Sequence, residues 1–309
     1  MVSTNEFYFT AQNGAARVHV REWLPETEPS AVLLIAHGMA EHIGRYDEFA
    51  SFLADYGILV AGPDHLGHGK TAATPEEQGF FAERNGWQML VDAMHQLQQI
   101  ETDAHPGVPV FLFGHSMGSF VARTFMIDYG DDLAGVILSG TGDVSEPTLR
   151  VAQALAAVER RKHGPAYRSL LLDRLTTGAY NKSFAPARTP FDWLSRDPAV
   201  VDAYCADPDC GFTFTVAAFQ DLFSGLLRIR SRRNLAKILP TMPVLMFAGA
   251  EDPVGDFGRG VQRVAHMLQD AGLRNVMVKL YAGDRHEVLN EPNRGQVYAD
   301  VLTWIENRM

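Results

Sequence analysis

The sequence predicts an α/β fold: a mostly parallel central sheet flanked by helices, with a helical segment inserted between two of its strands. Three observations carry this. Short, uninterrupted apolar runs recur along the chain, as strands buried on both faces require. Stretches with helical spacing separate them, which is the alternation of a parallel sheet. That alternation stops near Thr141 and resumes at Val244, leaving about 95 residues of different character between.

The elements follow in order. Glu6–Thr10 and Ala16–Trp23 read as a hairpin around Asn13-Gly14, a strong tight-turn dipeptide. Ala31–Ala36 is an apolar strand, Tyr46–Tyr56 a helix with Phe49, Phe52 and Leu53 on one face, and Ile58–Ala61 a second buried strand. Asn85–Asp103 is helical, Val110–Phe113 a strand, Met117–Tyr129 helical and Gly135–Ser139 a strand. The stretch from 143 to 239 is rich in proline and mostly helical in pattern, and is predicted as a cap. Then come a strand at Val244–Ala248, a helix at Phe257–Ala271, a strand at Val276–Tyr281 and a terminal helix at Gln296–Asn307. Residues 1–142 and 240–309 are thus predicted to form one core.

Composition narrows the function. The 309 residues are 46% hydrophobic and 21% charged, which suits an ordinary globular protein. A formal net charge of −10 disfavours nucleic acid, whose phosphates call for a surplus of Lys and Arg, and disfavours electrostatic docking on an anionic membrane. Contact with a lipid surface through apolar area stays open. Two cysteines, Cys205 and Cys210, cannot staple so long a chain; free thiols are expected. No run of 18 apolar residues occurs, and the first residues lack the basic-then-apolar pattern of a secretory signal, so a cytoplasmic protein is expected.

The sharpest motif is Gly114-His-Ser116-Met-Gly118. By composition alone, about one such chain in ten would carry the pattern by chance. Context makes it informative: it follows a buried strand and opens a helix, the setting of a nucleophile elbow. A serine nucleophile needs a base oriented by an acid, and in this architecture they follow in the order Ser, acid, His. Asp252 lies just past the strand Val244–Ala248, and His286 just past the strand Val276–Tyr281. Both sit in loops at strand C-termini, where an open α/β sheet places its ligands. Glu251, Asp256 and Asp143 compete for the acid role, but Asp252 fits the end of its own strand best. His37-Gly38-Met39 follows the strand Ala31–Ala36 and is predicted to form the oxyanion hole. Backbone N–H groups of Met39 and Met117 are the donors, and Gly38 lets the backbone approach the substrate.

The segments His37-Gly-Met-Ala-Glu-His42, Gly44-Arg-Tyr46, Gly62-Pro-Asp-His-Leu-Gly-His-Gly69 and Gly114-His-Ser-Met-Gly118 resemble the α/β-hydrolase family of monoacylglycerol lipases and lysophospholipases. The resemblance runs over nearly the whole chain, loosely in the inserted segment. It implies the α/β-hydrolase fold with a helical cap and a cofactor-independent serine hydrolase acting on esters with one acyl chain. It carries nucleophile, acid and base to Ser116, Asp252 and His286. It also implies that Glu41 and Arg45 lie near the site of a glycerol head group, and that Tyr204 matches a cap tyrosine there. Three departures stand out: Met39 where a small residue is common, Ser119 where a second glycine is frequent, and a divergent cap that leaves chain length and head group open.

Other readings were weighed on the residues themselves. His37, His42, His65 and His68 with Asp64 suggest a metal cluster, but no further carboxylate pair completes a two-metal set, and no metal is expected. The apolar run from Phe212 to Leu227 reads as a cap helix packed on the core and as the wall of an acyl tunnel. Arg228–Arg233 reads as a solvated helix end. The expectation is therefore a monoacylglycerol lipase-like serine hydrolase, monomeric or homodimeric. A lysophospholipase, a short-chain carboxylesterase or an amidase are the alternatives on the same machinery. An aspartate-nucleophile enzyme is disfavoured by Ser116, and a silent binding protein by the presence of all three catalytic residue types.

Overall fold

The computed structural model describes residues 2–11, 14 and 16–309. Strands β1 (Ser3–Thr10) and β2 (Arg17–Leu24) pair antiparallel as the predicted hairpin. Of its turn, Asn13 lies outside the described residues, while Gly14 has φ +70°. There follow β3 (Ala31–Ala36), a 3-10 turn at Ile43–Tyr46, α1 (Asp47–Asp55), β4 (Ile58–Pro63) and α2 (Gly86–Ala104). Next come β5 (Val110–His115), α3 (Met117–Tyr129) and β6 (Gly135–Ser139). The inserted segment holds α4 (Glu146–His163), α5 (Leu170–Thr176), α6 (Pro198–Ala206), α7 (Val216–Arg228) and the short α8 (Arg232–Leu235). The core resumes with β7 (Val244–Gly249), α9 (Arg259–Asp270), β8 (Val276–Tyr281) and α10 (Arg294–Glu306).

The eight strands form one sheet in the order β1-β2-β4-β3-β5-β6-β7-β8. From β4 to β8 all pairs are parallel, and β2 joins β4 antiparallel. The apolar runs of β3 to β7 are buried on both faces, as continuous hydrophobicity requires. Alternate residues divide between two cores. Leu112 joins the face covered by α2, α3, α9 and α7, while Phe111 and Phe113 join the face covered by α1 and α10. Helix α9 starts at Arg259 rather than Phe257, because Asp256, Phe257 and Gly258 all take positive φ, which no α-helix accommodates.

Two features of this topology position the site. The chain leaves β3 for β4 on one side and returns to β5 on the other, so the strand order reverses between β3 and β5. A crevice opens at their C-terminal ends. The inserted segment leaves from the C-terminal end of β6 and lies over that crevice, with α7 packed on α2, α3 and α4. Among the described residues, no helix is long and apolar enough to cross a membrane.

Candidate active site

Ser116 occupies the turn between β5 and α3 at φ +51°, ψ −117°, a conformation that ordinarily costs an L-residue about 1–3 kcal/mol. The glycines around it make the turn sterically feasible. A Cβ at Gly114 would overlap the Gly118 carbonyl, and one at Gly118 would overlap the carbonyls of Ala36 and His37. The turn is pinned by the Ser116 N–H donating to Ser139 O (2.9 Å), and by Ser116 O accepting from both the N–H (2.9 Å) and hydroxyl (2.6 Å) of Ser119. Ser119 thus does a job that a second glycine could not.

His286 and Asp252 arrive from the loops after β8 and β7. Their side chains meet at 3.0 Å, Nδ1 to Oδ1, and both are almost fully buried. Asp252 Oδ1 also accepts the Val254 N–H at 2.8 Å, which fixes the carboxylate. Burial opposes charge on the imidazole. The Asp252 charge and hydrogen bond, helped by Glu287 and Glu41, outweigh it and hold His286 above its ordinary value. Of the competing acids, Asp256 pairs with Arg259 and Arg263, Asp143 lines the cavity but pairs with Arg230, and Glu251 is exposed. His115, between Ser116 and the sheet, lies 4.7 Å ring to ring from His286, and burial pushes it down to about 4, so it stays neutral.

The loop after β3 passes close beside the elbow: a Cβ on Gly38 would stand 3.3 Å from Ser116 Cβ. The Gly38 N–H is taken by Glu41 Oε1 at 2.5 Å and the Ala40 N–H by His68 Nε2 at 3.2 Å. Met39, between them, and Met117, at the first position of α3, line the same cavity as Ser116.

That cavity holds about 580 Å³ and runs from Ser116 and His286 beneath the inserted helices. Its far walls are apolar, with Leu149 and Ala152 of α4, Leu172 of α5, and Leu222, Phe223 and Leu226 of α7. The apolar run of the sequence thus divides as anticipated. Phe214, Val216 and Phe219 are buried in the core, and Phe212, Leu222, Phe223 and Leu226 face the cavity.

Residues 27–293 match the Hydrolase_4 family, described as serine aminopeptidase, S33. The chain belongs to this family of α/β-hydrolases. It is therefore an enzyme of the hydrolase class. The chain is 30% identical to the monoacylglycerol lipase of Mycolicibacterium smegmatis over 99% of both chains. It is 27% identical to the human monoglyceride lipase over 93% of this chain and 86% of that one. A thermostable carboxyl esterase from Bacillus coagulans, solved with glycerol, superposes with a TM-score of 0.92 at 28% identity, over 100% of this chain and 99% of the other.

Within this α/β-hydrolase the polar residues beside the elbow are built into one another. Glu41 is buried and uses both oxygens, accepting from Gly38 N–H, the Tyr46 hydroxyl (2.9 Å) and Arg45 (2.6 Å). Arg45 turns away from the cavity and forks onto Glu287, with both N–O distances at 2.7 Å. Its guanidinium lies 4.8 Å over the Tyr204 ring. Although burial favours the neutral acid, the Arg45 charge pulls Glu287 down to about 2. Tyr204 donates its hydroxyl to Ala40 O at 2.9 Å, tying α6 to the loop after β3. Gly38, Glu41 and Tyr204 therefore line the cavity together with Ser116, while Arg45 stands behind the wall and Asp252 behind His286.

Sequence reasoning missed Glu287, whose partner Arg45 is 242 positions away. It also missed Trp193 and Arg196 of the inserted segment, which contact the His286 loop. No local pattern marks either pairing. The stretch Arg228–Arg233 divides: Arg228 pairs with Asp128 of α3 and Arg230 with Asp143, while Arg232 and Arg233 are exposed.

Among the described residues, His37, His65 and His68 belong to no group placed to hold a metal ion. His37 Nε2 accepts from His65 N–H at 2.9 Å and its Nδ1 faces Gly38 O at 2.8 Å, leaving no free lone pair. Burial, with His65 and His68 adjacent, keeps His37 well below its ordinary value. His42, Asp207 and Cys210 do converge within 4.8 Å. Yet His42 Nδ1 accepts the Gly44 N–H at 3.2 Å, so its proton sits on Nε2 and is donated to Asp207 at 2.9 Å. Both ring nitrogens are thus engaged within the chain. Cys205 and Cys210 are free thiols, the first exposed and the second half-buried.

Proposed function

We propose that this hydrolase cleaves carboxylic esters carrying one acyl chain, monoacylglycerols above all, by a Ser116–His286–Asp252 triad. Ser116 Oγ attacks the acyl carbonyl as His286 Nε2 takes its proton. Asp252 fixes the tautomer that leaves Nε2 free and stabilises the imidazolium. The oxyanion is held by Met39 and Met117 N–H groups, the alcohol leaves with the proton, and water repeats the sequence to release the acid. The reaction so written uses no cofactor. The observation that carries the reading is an elbow serine and a buried His–Asp pair on one cavity whose far walls are apolar. An acyl chain suits those walls, and the glycerol-sized alcohol suits the polar wall of Glu41 and Tyr204. The relatives named lipases for such esters support the same substrate class.

Residues 143–239 act as the cap in this reading. Val151, Leu155 and Val158 of α4 and Leu170, Leu171 and Leu175 of α5 are exposed, and Val151, Leu155 and Leu175 also line the cavity. The mouth of the acyl site is thus apolar outside as well as inside, which fits transient contact with a lipid surface through burial rather than charge. The test is hydrolysis of p-nitrophenyl esters of graded chain length beside monoacylglycerol and lysophospholipid, for wild type and Ser116→Ala. Activity on monoacylglycerol that falls by orders of magnitude in Ser116→Ala supports the proposal. Retained activity in that variant, or no activity of the wild type on any ester, overturns it.

A further inference from the structure

The loop that carries His286 is held on one side by Asp252. On the other it is held by a strap of the inserted segment, residues 192–196, between α5 and α6. Two consecutive N–H groups of the loop donate to two consecutive carbonyls of the strap: His286 to Trp193 (3.4 Å) and Glu287 to Leu194 (2.8 Å). The Ser195 hydroxyl donates to Asn290 O at 3.0 Å. Arg196 donates to Glu291 through Nε (3.0 Å), to Asn293 Oδ1 (3.0 Å) and to Asp284. Glu291 and Asp284 are wholly buried, so their charges depend on this arginine and on the Arg285 and Asn293 groups beside them. Returning the grip, Arg285 donates to the carbonyls of Asp192 and Ser195. At the centre the Trp193 indole lies against the His286 imidazole, ring centroids 5.0 Å apart and tilted by 40°, and is backed by Tyr180 at 5.0 Å.

An imidazole held only by one carboxylate can still rotate and slide about that hydrogen bond. Rings packed beside it, Trp193 of the strap at 5.0 Å and His115 of β5 at 4.7 Å, restrict that freedom, and misplacement of a base by about 1 Å can cost about 100-fold in rate. We infer that Trp193 is a positioning residue for the His286 imidazole, and that Arg196 anchors the strap that holds it there. The inference rests on His286 being the catalytic base. It also makes the strap a fixed part of the cap, so any opening of the cap belongs to the apolar helices α4 and α5.

The test uses the full chain with Trp193→Phe, Trp193→Ala, Arg196→Lys and His286→Ala. Protonated imidazole quenches indole fluorescence on contact. The wild-type emission minus that of Trp193→Phe, one of four tryptophans removed, is expected to rise with pH in step with the acid limb of kcat/KM. It is expected to lose that step in His286→Ala. On p-nitrophenyl acetate, whose acyl group is too short to need the cap, Trp193→Ala is expected to lower kcat about 10- to 100-fold with KM within about threefold. Trp193→Phe should restore most of it, and Arg196→Lys, which keeps the charge but loses the fork, should share the loss. A change confined to KM would make Trp193 a pocket wall, and a fluorescence step unrelated to the acid limb would separate it from the base; either overturns the inference. Should Trp193→Ala not fold by circular dichroism, the kcat loss in Arg196→Lys and the His286-dependent fluorescence step decide by the same criteria. If Ser116→Ala stays active, the catalytic reading fails, yet the His286-dependent fluorescence step persists, so the two failures are told apart.

Discussion

The core and the inserted segment meet the same cavity by different physical means. In the core each contribution sits past the end of a parallel strand: Met39 after β3, Ser116 after β5, Asp252 after β7 and His286 after β8. Sheet register fixes their spacing, and glycines at 114 and 118 let backbones meet where a Cβ could not fit. The inserted segment lends no strand. It offers helix faces to the acyl side and carbonyls, an indole and a guanidinium to the His286 loop. Chemistry built on a sheet is therefore sensitive to single atoms, whereas a wall of apolar side chains tolerates exchange within a volume. The two regions should fail differently when changed.

The largest expected effect belongs to the core. Asp252→Asn keeps the shape of the site but favours the wrong imidazole tautomer, and kcat on p-nitrophenyl acetate is expected to drop about 10⁴-fold. In the wild type, Asp252 holds His286 above its ordinary value, and in the proposed mechanism the imidazole must be neutral to act. Activity should therefore rise with pH through a midpoint above ~6.5. A midpoint well below that value would mean that burial, not Asp252, governs the ring.

Glu41→Gln comes next and asks whether the polar wall binds or positions. The glutamine keeps one oxygen for Gly38 N–H but loses the charge facing Arg45, which still has Glu287. A positioning role predicts kcat about tenfold lower on p-nitrophenyl acetate and monoacylglycerol alike. A loss seen only with monoacylglycerol would assign Glu41 to the glycerol group instead.

How much of this was legible in the sequence follows the same division. The apolar runs of β3 to β7 pointed to strands buried on both faces; the ends of β5 and β7 marked Ser116 and Asp252, and the end of β8 marked His286, without contacts being known. Arg45 and Glu287 could not be paired in advance, because a salt bridge across 242 positions leaves no local pattern. Nor could Trp193 be placed on His286: the strap between α5 and α6 has neither period, and its hydrogen bonds run through backbone carbonyls that every residue possesses. Sequence reads what periodicity and steric exclusion impose, and long-range polar pairing obeys neither.

A smaller effect tests the other region. Phe223→Trp narrows the apolar end of the cavity. It is expected to lower kcat/KM for long-chain p-nitrophenyl esters about tenfold while acetate changes by less than about threefold. Equal losses on both would show that α7 acts on the elbow rather than on the chain, and would erase the distinction drawn between the regions.

The smallest effect lies far from the cavity and concerns stability alone. Glu101 of α2 is almost wholly buried, and one of its oxygens has no partner among the described residues. Burial first, then the neighbouring Glu22 carboxylate, raise its folded-state value above the usual range. A raised carboxyl is at its most favourable when protonated. Its contribution is full below the unfolded value of ~4.3 and is lost as pH climbs through the folded value. Glu101→Gln removes that ionisation and keeps the shape. The variant should match wild type in Tm near pH 4 and exceed it increasingly toward pH 9, with activity unchanged throughout. An advantage that does not grow with pH would mean that Glu101 stays ionised in the fold, and that its charge is met by a group other than Glu22.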